Sequence, residues 1–431
     1  MSRKRSDLLP ACLFLGPNFI GFAAFVAFPV AFSVVMAFTN WDLSLHNRFR
    51  DEPVRWIWLE NFVEMLTAPE FWKYLGNTLF LMIGIPVGIG GSLLLAVMLT
   101  RPLRGRDRAA RRRLGLLSLG VSLGLGILLR SMGLGNVPLV LAVAGGGVLA
   151  LGFTTGSVVY RTLFYLPHFT SGVAVYLLWK QMYNPLRGPI NAALEPVLGG
   201  LARAVTGTPA ALWQGVGVAL WVAAGAGLLW LAVRLVRSAA EGDTGAGSFL
   251  LGLGILGAGG LIAWGVGVVL WRLPGWSADG LMPPKWLNDV HWAKPAIMIM
   301  GLWAAVGSNN MLLYIAGISN IPPELYEAAE VDGAGGWGRF RHVTWPQLAP
   351  TTFFIVIMAF IGGLQGGFEV ARTMTGGGPF EATTTLAYYV YNQGFETGRL
   401  GYASAVAWVM FAMIFGLTVL NYRFGSRYIN D

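Results

Sequence analysis

Few side chains in this sequence could do covalent chemistry. Cys12 is the one cysteine, so no internal disulfide or thiolate metal site can form, and Cys12 reads as a small apolar residue in a hydrophobic stretch. No lysine follows a glycine, so the Gly-Lys-Ser/Thr that holds nucleotide phosphates is missing. No Asp-Asp pair or similar acidic cluster offers a metal–pyrophosphate site. Catalytic and metal-ligating residues are therefore expected to number none. Two sets of polar residues remain. The first is the stretch Ile321-Pro-Pro-Glu-Leu-Tyr-Glu-Ala-Ala-Glu-Val-Asp-Gly-Ala-Gly-Gly-Trp-Gly-Arg-Phe-Arg-His-Val-Thr-Trp-Pro346. Pro322 and Pro323 suit a helix start, and Glu324, Glu327 and Glu330 recur on one side near the positive end of its dipole. Ala328 and Ala329 leave a smooth face, and Gly333, Gly335 and Gly336 permit a sharp turn. The second set lies inside otherwise apolar stretches: Asn309 and Asn310, then Gln365 and Glu369, four apart and expected on one helical face, with Phe368 alongside. Such residues serve solute contact or inter-helix hydrogen bonding. His168, just after Pro167, reads as a packing residue rather than a proton relay, and His342 as interfacial.

The elements that position these residues are set by composition. At 431 residues, 55% are apolar and 12% charged, against about 25% charged in globular proteins. That leaves too little polar surface for a water-soluble core, and soluble enzymes and disordered chains are excluded. Hydrophobic stretches fall at 12–38, 74–99, 114–129, 136–156, 158–182, 210–233, 248–271, 295–318, 351–371 and 403–422. Most reach the ~20 residues needed to cross a ~30 Å hydrocarbon layer; 114–129 is short, and with its neighbour could form a tilted hairpin. The first stretch is too long for a cleavable signal and reads as a retained helix bent at Pro17 and Pro29. Of 30 basic residues 25 are Arg, scattered between spans, so the net charge of +9 is topogenic and no nucleic-acid partner is expected. The segment 100–113 carries Arg101, Arg104, Arg106, Arg108, Arg111, Arg112 and Arg113 against Asp107, and fixes a cytoplasmic loop beside lipid headgroups. Both termini are then cytoplasmic.

Glu327-Ala328-Ala329, three residues, Gly333, nine residues, Val343, one residue, Trp345-Pro346 resembles the E-A-A-x3-G-x9-I-x-L-P loop of ATP-binding-cassette importer permeases, with Val343 for the usual Ile and Trp345 for the usual Leu. The resemblance implies that this loop is the coupling helix gripped by a separate ATPase. It assigns coupling roles to Glu327, Ala328, Ala329, Asp332, Gly333 and Pro346. Arg161-Thr-Leu-Phe-Tyr-Leu-Pro-His-Phe169, Thr375-Gly-Gly-Gly-Pro379 and Ala382-Thr-Thr-Thr-Leu-Ala-Tyr-Tyr-Val-Tyr391 resemble the carbohydrate-uptake branch, similar to maltose and glycerol-phosphate permeases. That branch implies an all-α polytopic bundle in a bacterial inner membrane, importing a sugar by alternating access. Its partners would be a second permease, two ATP-binding subunits carrying ATP and magnesium, an extracytoplasmic solute-binding protein and membrane lipid. No cofactor would be bound by this chain itself.

The resemblance runs through Leu103-Arg-Gly-Arg106, resumes near Val158-Val-Tyr-Arg-Thr162, runs to Asn191-Ala-Ala-Leu194 and resumes near Pro284-Lys-Trp-Leu287. A six-span core with two inserted hydrophobic hairpins follows, about ten spans in all. Residues 1–106 hold core spans 1–2, 107–157 the first hairpin, 158–196 core span 3, 197–283 the second hairpin, and 284–431 core spans 4–6 with the loop 321–346. The Gly252-Leu-Gly-Ile-Leu-Gly257 string has no preceding strand and is helix packing, as at Gly120 and Gly124. An ion-coupled carrier acting without an ATPase is the alternative; it would show charged pairs in its spans and an internal repeat, and neither is clear here.

Overall fold

The computed structural model describes residues 8–47, 49–50, 52–100, 108–131, 139, 143–147, 150, 157–170, 172–240 and 246–425. Arg101, Arg104, Arg106 and Asp107 of the arginine-rich segment and most of the stretch 136–156 lie outside them. The described residues are all-helical. Helix α1 comprises Leu8–Phe22, a π turn at Ala23–Ala27 and Phe28–Ala37. Pro29 has no N–H for the carbonyl of Phe25, and the helix widens there instead of breaking. Then come α2 (Glu60–Thr67), α3 (Pro69–Met82), α4 (Gly84–Thr100), α5 (Arg108–Leu129), α6 (Ser157–Phe169), α7 (Gly172–Met182), α8 (Pro189–Thr206), α9 (Ala210–Ala240), α10 (Ala246–Ala278), α11 (Val290–Val306) and α12 (Asn309–Ser319). They are followed by α13 (Pro323–Val331), α14 (Gly336–Arg339), α15 (Ala349–Gln365), α16 (Phe368–Val370), α17 (Leu386–Tyr391) and α18 (Leu400–Gly425).

Among the described residues, five helices are long and apolar enough to cross a bilayer: Leu13–Ala37, Pro69–Thr100, Ala210–Ser238, Val290–Ser319 and Leu400–Arg423. A sixth arises if Gly336–Gln347 and Ala349–Gln365, bent by 64°, count as one. The expected span 158–182 is instead the two short helices α6 and α7, the first ending two residues past Pro167, which removes a backbone donor. His168 stacks on Tyr165, ring centroids 5.1 Å apart. Among the described residues nothing lies within 4 Å of a Cβ built on Gly120 or Gly124, while one built on Gly146 would meet Ser122 of the helix that carries those two.

The chain divides into two compact units. One comprises Leu129–Pro138 and Asn184–Pro284, and its described part is dominated by the antiparallel pair α9 and α10. At 31 and 33 residues these helices run about 46–50 Å, longer than a hydrocarbon layer is thick. They cross where Gly267 faces Trp221, whose indole N–H donates to the Trp264 carbonyl at 3.3 Å; a Cβ on Gly267 would sit 1.8 Å from that nitrogen.

The other unit holds the helices outside those segments, α8 belonging with α9 and α10, and has two apolar cores at opposite ends. Met65, Phe71, Tyr74, Leu386, Tyr402 and Val406 pack at one end. At the other end, Ala96, Leu99, Met311, Tyr314 and Ile355 pack from α4, α12 and α15, with Leu348 from just before α15. Glycines let α4 lie close against α11: a Cβ on Gly88 would meet Ala305 at 2.9 Å, and one on Gly91 would meet Val306 at 2.8 Å. Buried polar groups on α3 tie down the distant 376–385 loop. Asn77 donates to the carbonyls of Glu381 and Thr384 at 3.0 and 2.9 Å, and Thr78 Oγ1 accepts from the Leu386 N–H at 3.0 Å.

Candidate functional site

Two places gather the polar residues. The first is the loop 321–346. Helix α13 starts with Pro322 as N-cap and Pro323 in the first turn, as expected, and Glu324 lies in that turn. Its end is a Schellman closure: the Ala334 N–H donates to the Ala329 carbonyl at 2.8 Å, and the Gly333 N–H to that of Glu330 at 3.0 Å. Gly333 has φ +78°, the left-handed region that disfavours side chains with a Cβ, and space beyond it is open. Glu327, Ala328 and Asp332 are exposed and Ala329 is half-buried. Two contacts hold the returning strand of the loop against this helix. Arg339 pairs with Glu330, and the Tyr326 and Thr344 hydroxyls lie 3.0 Å apart.

Beyond α14 the chain continues through a π turn at Phe340–Thr344 and Trp345–Gln347, which holds the exposed Pro346. Leu348 then enters the apolar core fully buried, and a Cβ on Gly317 would lie 2.8 Å from its side chain. The loop is thus anchored in the core through Leu348. Leu348→Ala is expected to remove about 3 kcal/mol of packing from that anchor. Limited proteolysis at the loop should become faster while the core of the unit stays resistant.

The second place is a cavity of about 280 Å³ between the two apolar cores. Its wall includes Met82 and Ile85 from the α3–α4 junction, Met298 and Gly301 from α11, and Gly366 and Gly367 just past α15. Here the structure corrects one expectation. Gln365 and Glu369 do not share a helical face, because α15 ends at Gln365 and Gly367 turns the chain at φ +87°. Gly367 is held there by Thr385, whose methyl would lie 2.6 Å from a Cβ. Gln365 and Glu369 are exposed, and Phe368 is half-buried. The Glu369 carboxylate presses on Gly172, where a Cβ would sit 2.5 Å from Oε2. Gln365, Phe368 and Glu369 are not among the residues lining this cavity, and neither are Asn309 and Asn310. They open α12, and the Asn310 N–H is capped by Ser308 Oγ at 3.2 Å.

Past the cavity the sequence reading missed an aromatic and cationic stack. Phe368 lies 4.9 Å from Tyr391, and Tyr391 stacks on Phe395 at 5.4 Å. The Arg372 guanidinium sits 4.4 Å from the Tyr391 ring and 5.8 Å from that of Phe368. The Phe368–Arg372 spacing of four was a visible signal; the partner ring, 19 residues on, was not. Lys73 donates to the Glu381 carboxylate at 2.9 Å, and this bond holds the Glu381 carboxyl below its usual range. The geometry offers hydrogen-bonding and stacking groups around a path. Among the described residues no group of three or more His, Cys, Asp or Glu could hold a metal.

Comparison with known proteins identifies the family of the chain. The sn-glycerol-3-phosphate transport system permease protein UgpA of Rhizobium meliloti is 37% identical over 151 residues, 33% of this chain and 51% of that protein. The lactose transport system permease protein LacF of Rhizobium radiobacter is 40% identical over 142 residues, 32% of this chain and 47% of that protein. The match thus spans about half the length of these curated relatives. The probable ABC transporter permease protein YesP of Bacillus subtilis is 25% identical over 99% of this chain and 93% of its own. The fold is that of a bacterial ABC transporter involved in the import of the acidic polysaccharide alginate, at TM-score 0.58 and 19% identity over 98% of this chain and 96% of that one. Since residues 17–430 match the family described as binding-protein-dependent transport system inner membrane component, the chain belongs to that family and is a multi-pass inner-membrane permease, not an enzyme.

Proposed function

We propose that this permease imports a sugar or related polar solute by alternating access, driven by two ATP-binding subunits that bind ATP and magnesium. The observation that carries the reading is the rigid loop 321–346: a helix closed by Gly333, braced by Arg339 and Tyr326, and anchored through Leu348 in the core. A lever of this build passes a rigid-body motion into α15 and hence to the cavity wall. Glu327, Ala328, Ala329, Asp332, Gly333 and Pro346 form its ATPase-facing part. Asn309, Asn310, Gln365, Phe368 and Glu369 are the solute-path residues of this reading.

The relatives' names support the solute class: they cite sn-glycerol 3-phosphate and lactose. The alginate transporter was solved with a pentasaccharide-bound periplasmic protein, which supports an extracytoplasmic binding protein as a partner here. A second permease completes the path, and lipid covers the remaining apolar faces. A core of six spans, in residues 1–106, 158–196 and 284–431, carries transport. Residues 107–157 and 197–283 are inserted hairpins, about ten spans in all, with both termini cytoplasmic.

The test is the energy source. Uptake by cells carrying the full system is expected to stop when ATP is depleted and to survive collapse of the ion gradients by ionophores. Uptake that survives ATP depletion and stops with the ionophore would make the chain an ion-coupled carrier.

A further inference from the structure

We infer that the solute is an acidic saccharide and that Lys294 reads its anionic group, an inference that rests on the importer reading above. Lys294 lies in the second turn of α11. Residues 294, 298, 301 and 305 follow one another at helical spacing, and Met298, Gly301 and Ala305 all line the cavity. Lys294 therefore continues the cavity's stripe at the end remote from the loop 321–346. Its ammonium rests 5.3 Å from the centre of the Phe80 ring and has no carboxylate within 4.0 Å among the described residues. Lys73, within electrostatic range, is already neutralised by Glu381. Elsewhere in this unit Lys180 donates to the Thr373 carbonyl at 3.3 Å, and the Arg372 guanidinium lies over the Tyr391 and Phe368 rings. The Lys294 charge thus has no carboxylate partner among the described residues, on a half-buried side chain that continues the cavity's apolar stripe.

An unneutralised ammonium in such a wall is costly, and a neutral sugar would not relieve the cost. A uronate carboxylate would, while the aromatic rings beyond the cavity hold the sugar faces.

Uptake of radiolabelled digalacturonate and dimannuronate, with neutral galactobiose and mannobiose, should be measured in cells carrying the complete system with wild-type, K294M or K294R permease, at membrane levels matched by immunoblot. Wild type is expected to take up an acidic probe. K294M should cut that uptake at least tenfold, and K294R should keep it within twofold. Entry of neither acidic probe, or unchanged acidic uptake by K294M, overturns the inference. If a neutral probe enters in an ATP-dependent way and the acidic ones do not, the inference fails while the importer reading stands. If acidic uptake depends on Lys294 yet persists without ATP, the importer reading fails and the charge reading survives.

Discussion

Gly333→Val is expected to lower solute uptake at least 100-fold while the permease remains in the membrane at wild-type abundance. The backbone at Gly333 is left-handed at φ +78°. A residue with a Cβ costs about 1–2 kcal/mol there, and a β-branched one is a still worse fit. No neighbour would clash, since nothing lies within 4 Å of the added atom. The penalty is therefore conformational and local: it opens the Ala334–Ala329 and Gly333–Glu330 hydrogen bonds and re-aims α13 against the Arg339 and Tyr326 braces. If the loop couples to the ATPase as proposed, a lever displaced in this way no longer transmits motion, yet the apolar cores that hold the spans are untouched. Asn tolerates the left-handed region, so the expected order of uptake is Gly, then Asn, then Ala, then Val. Initial uptake rates normalised to membrane-fraction immunoblots would measure it, and Val transporting as well as Gly would remove the loop from the mechanism.

Gly307→Ala is expected to act on the fold itself. Gly307 ends α11, and a Cβ there would lie 1.8 Å from the Phe164 carbonyl oxygen and 2.7 Å from its carbon. Backbone cannot rotate away as a side chain can. Either α6 or α11 must move by more than an ångström, at a cost of roughly 3 kcal/mol or more. Abundance in the membrane should fall severalfold, and the detergent-solubilised protein should melt at a lower temperature. Gly120→Ala, on an open face of α5, serves as the neutral comparison. Equal melting temperatures for the two variants would show that α6 and α11 are not in the contact described.

The contrast between these two glycines shows what could be read from the residues in order. Gly333 was legible because everything that dictates its conformation, from Pro323 to Ala334, lies within one short stretch, and helix start, turn and closure are local interactions. Gly307 was not, because its constraint is a carbonyl 143 positions earlier in the chain. The same division explains the misread pair Gln365 and Glu369. Helical spacing put them on one face, but Gly366 and Gly367 end the helix between them, and the contact that holds this turn comes from Thr385. Likewise the bond from Lys73 to Glu381 joins residues 308 apart, and no periodicity announces it.

What the sequence determined alone is the solvent and the local mechanics. A chain with 12% charged residues and long apolar runs satisfies its backbone in lipid as helices, and the spacing from Pro323 to Gly333 specifies a short helix closed by a glycine turn. The tertiary structure decided where helices break, which polar groups meet and where a cavity opens. Those outcomes depend on close approaches between residues far apart in the chain, and in lipid such approaches are selected by packing and hydrogen bonding rather than by hydrophobic pattern, which is nearly uniform along every span.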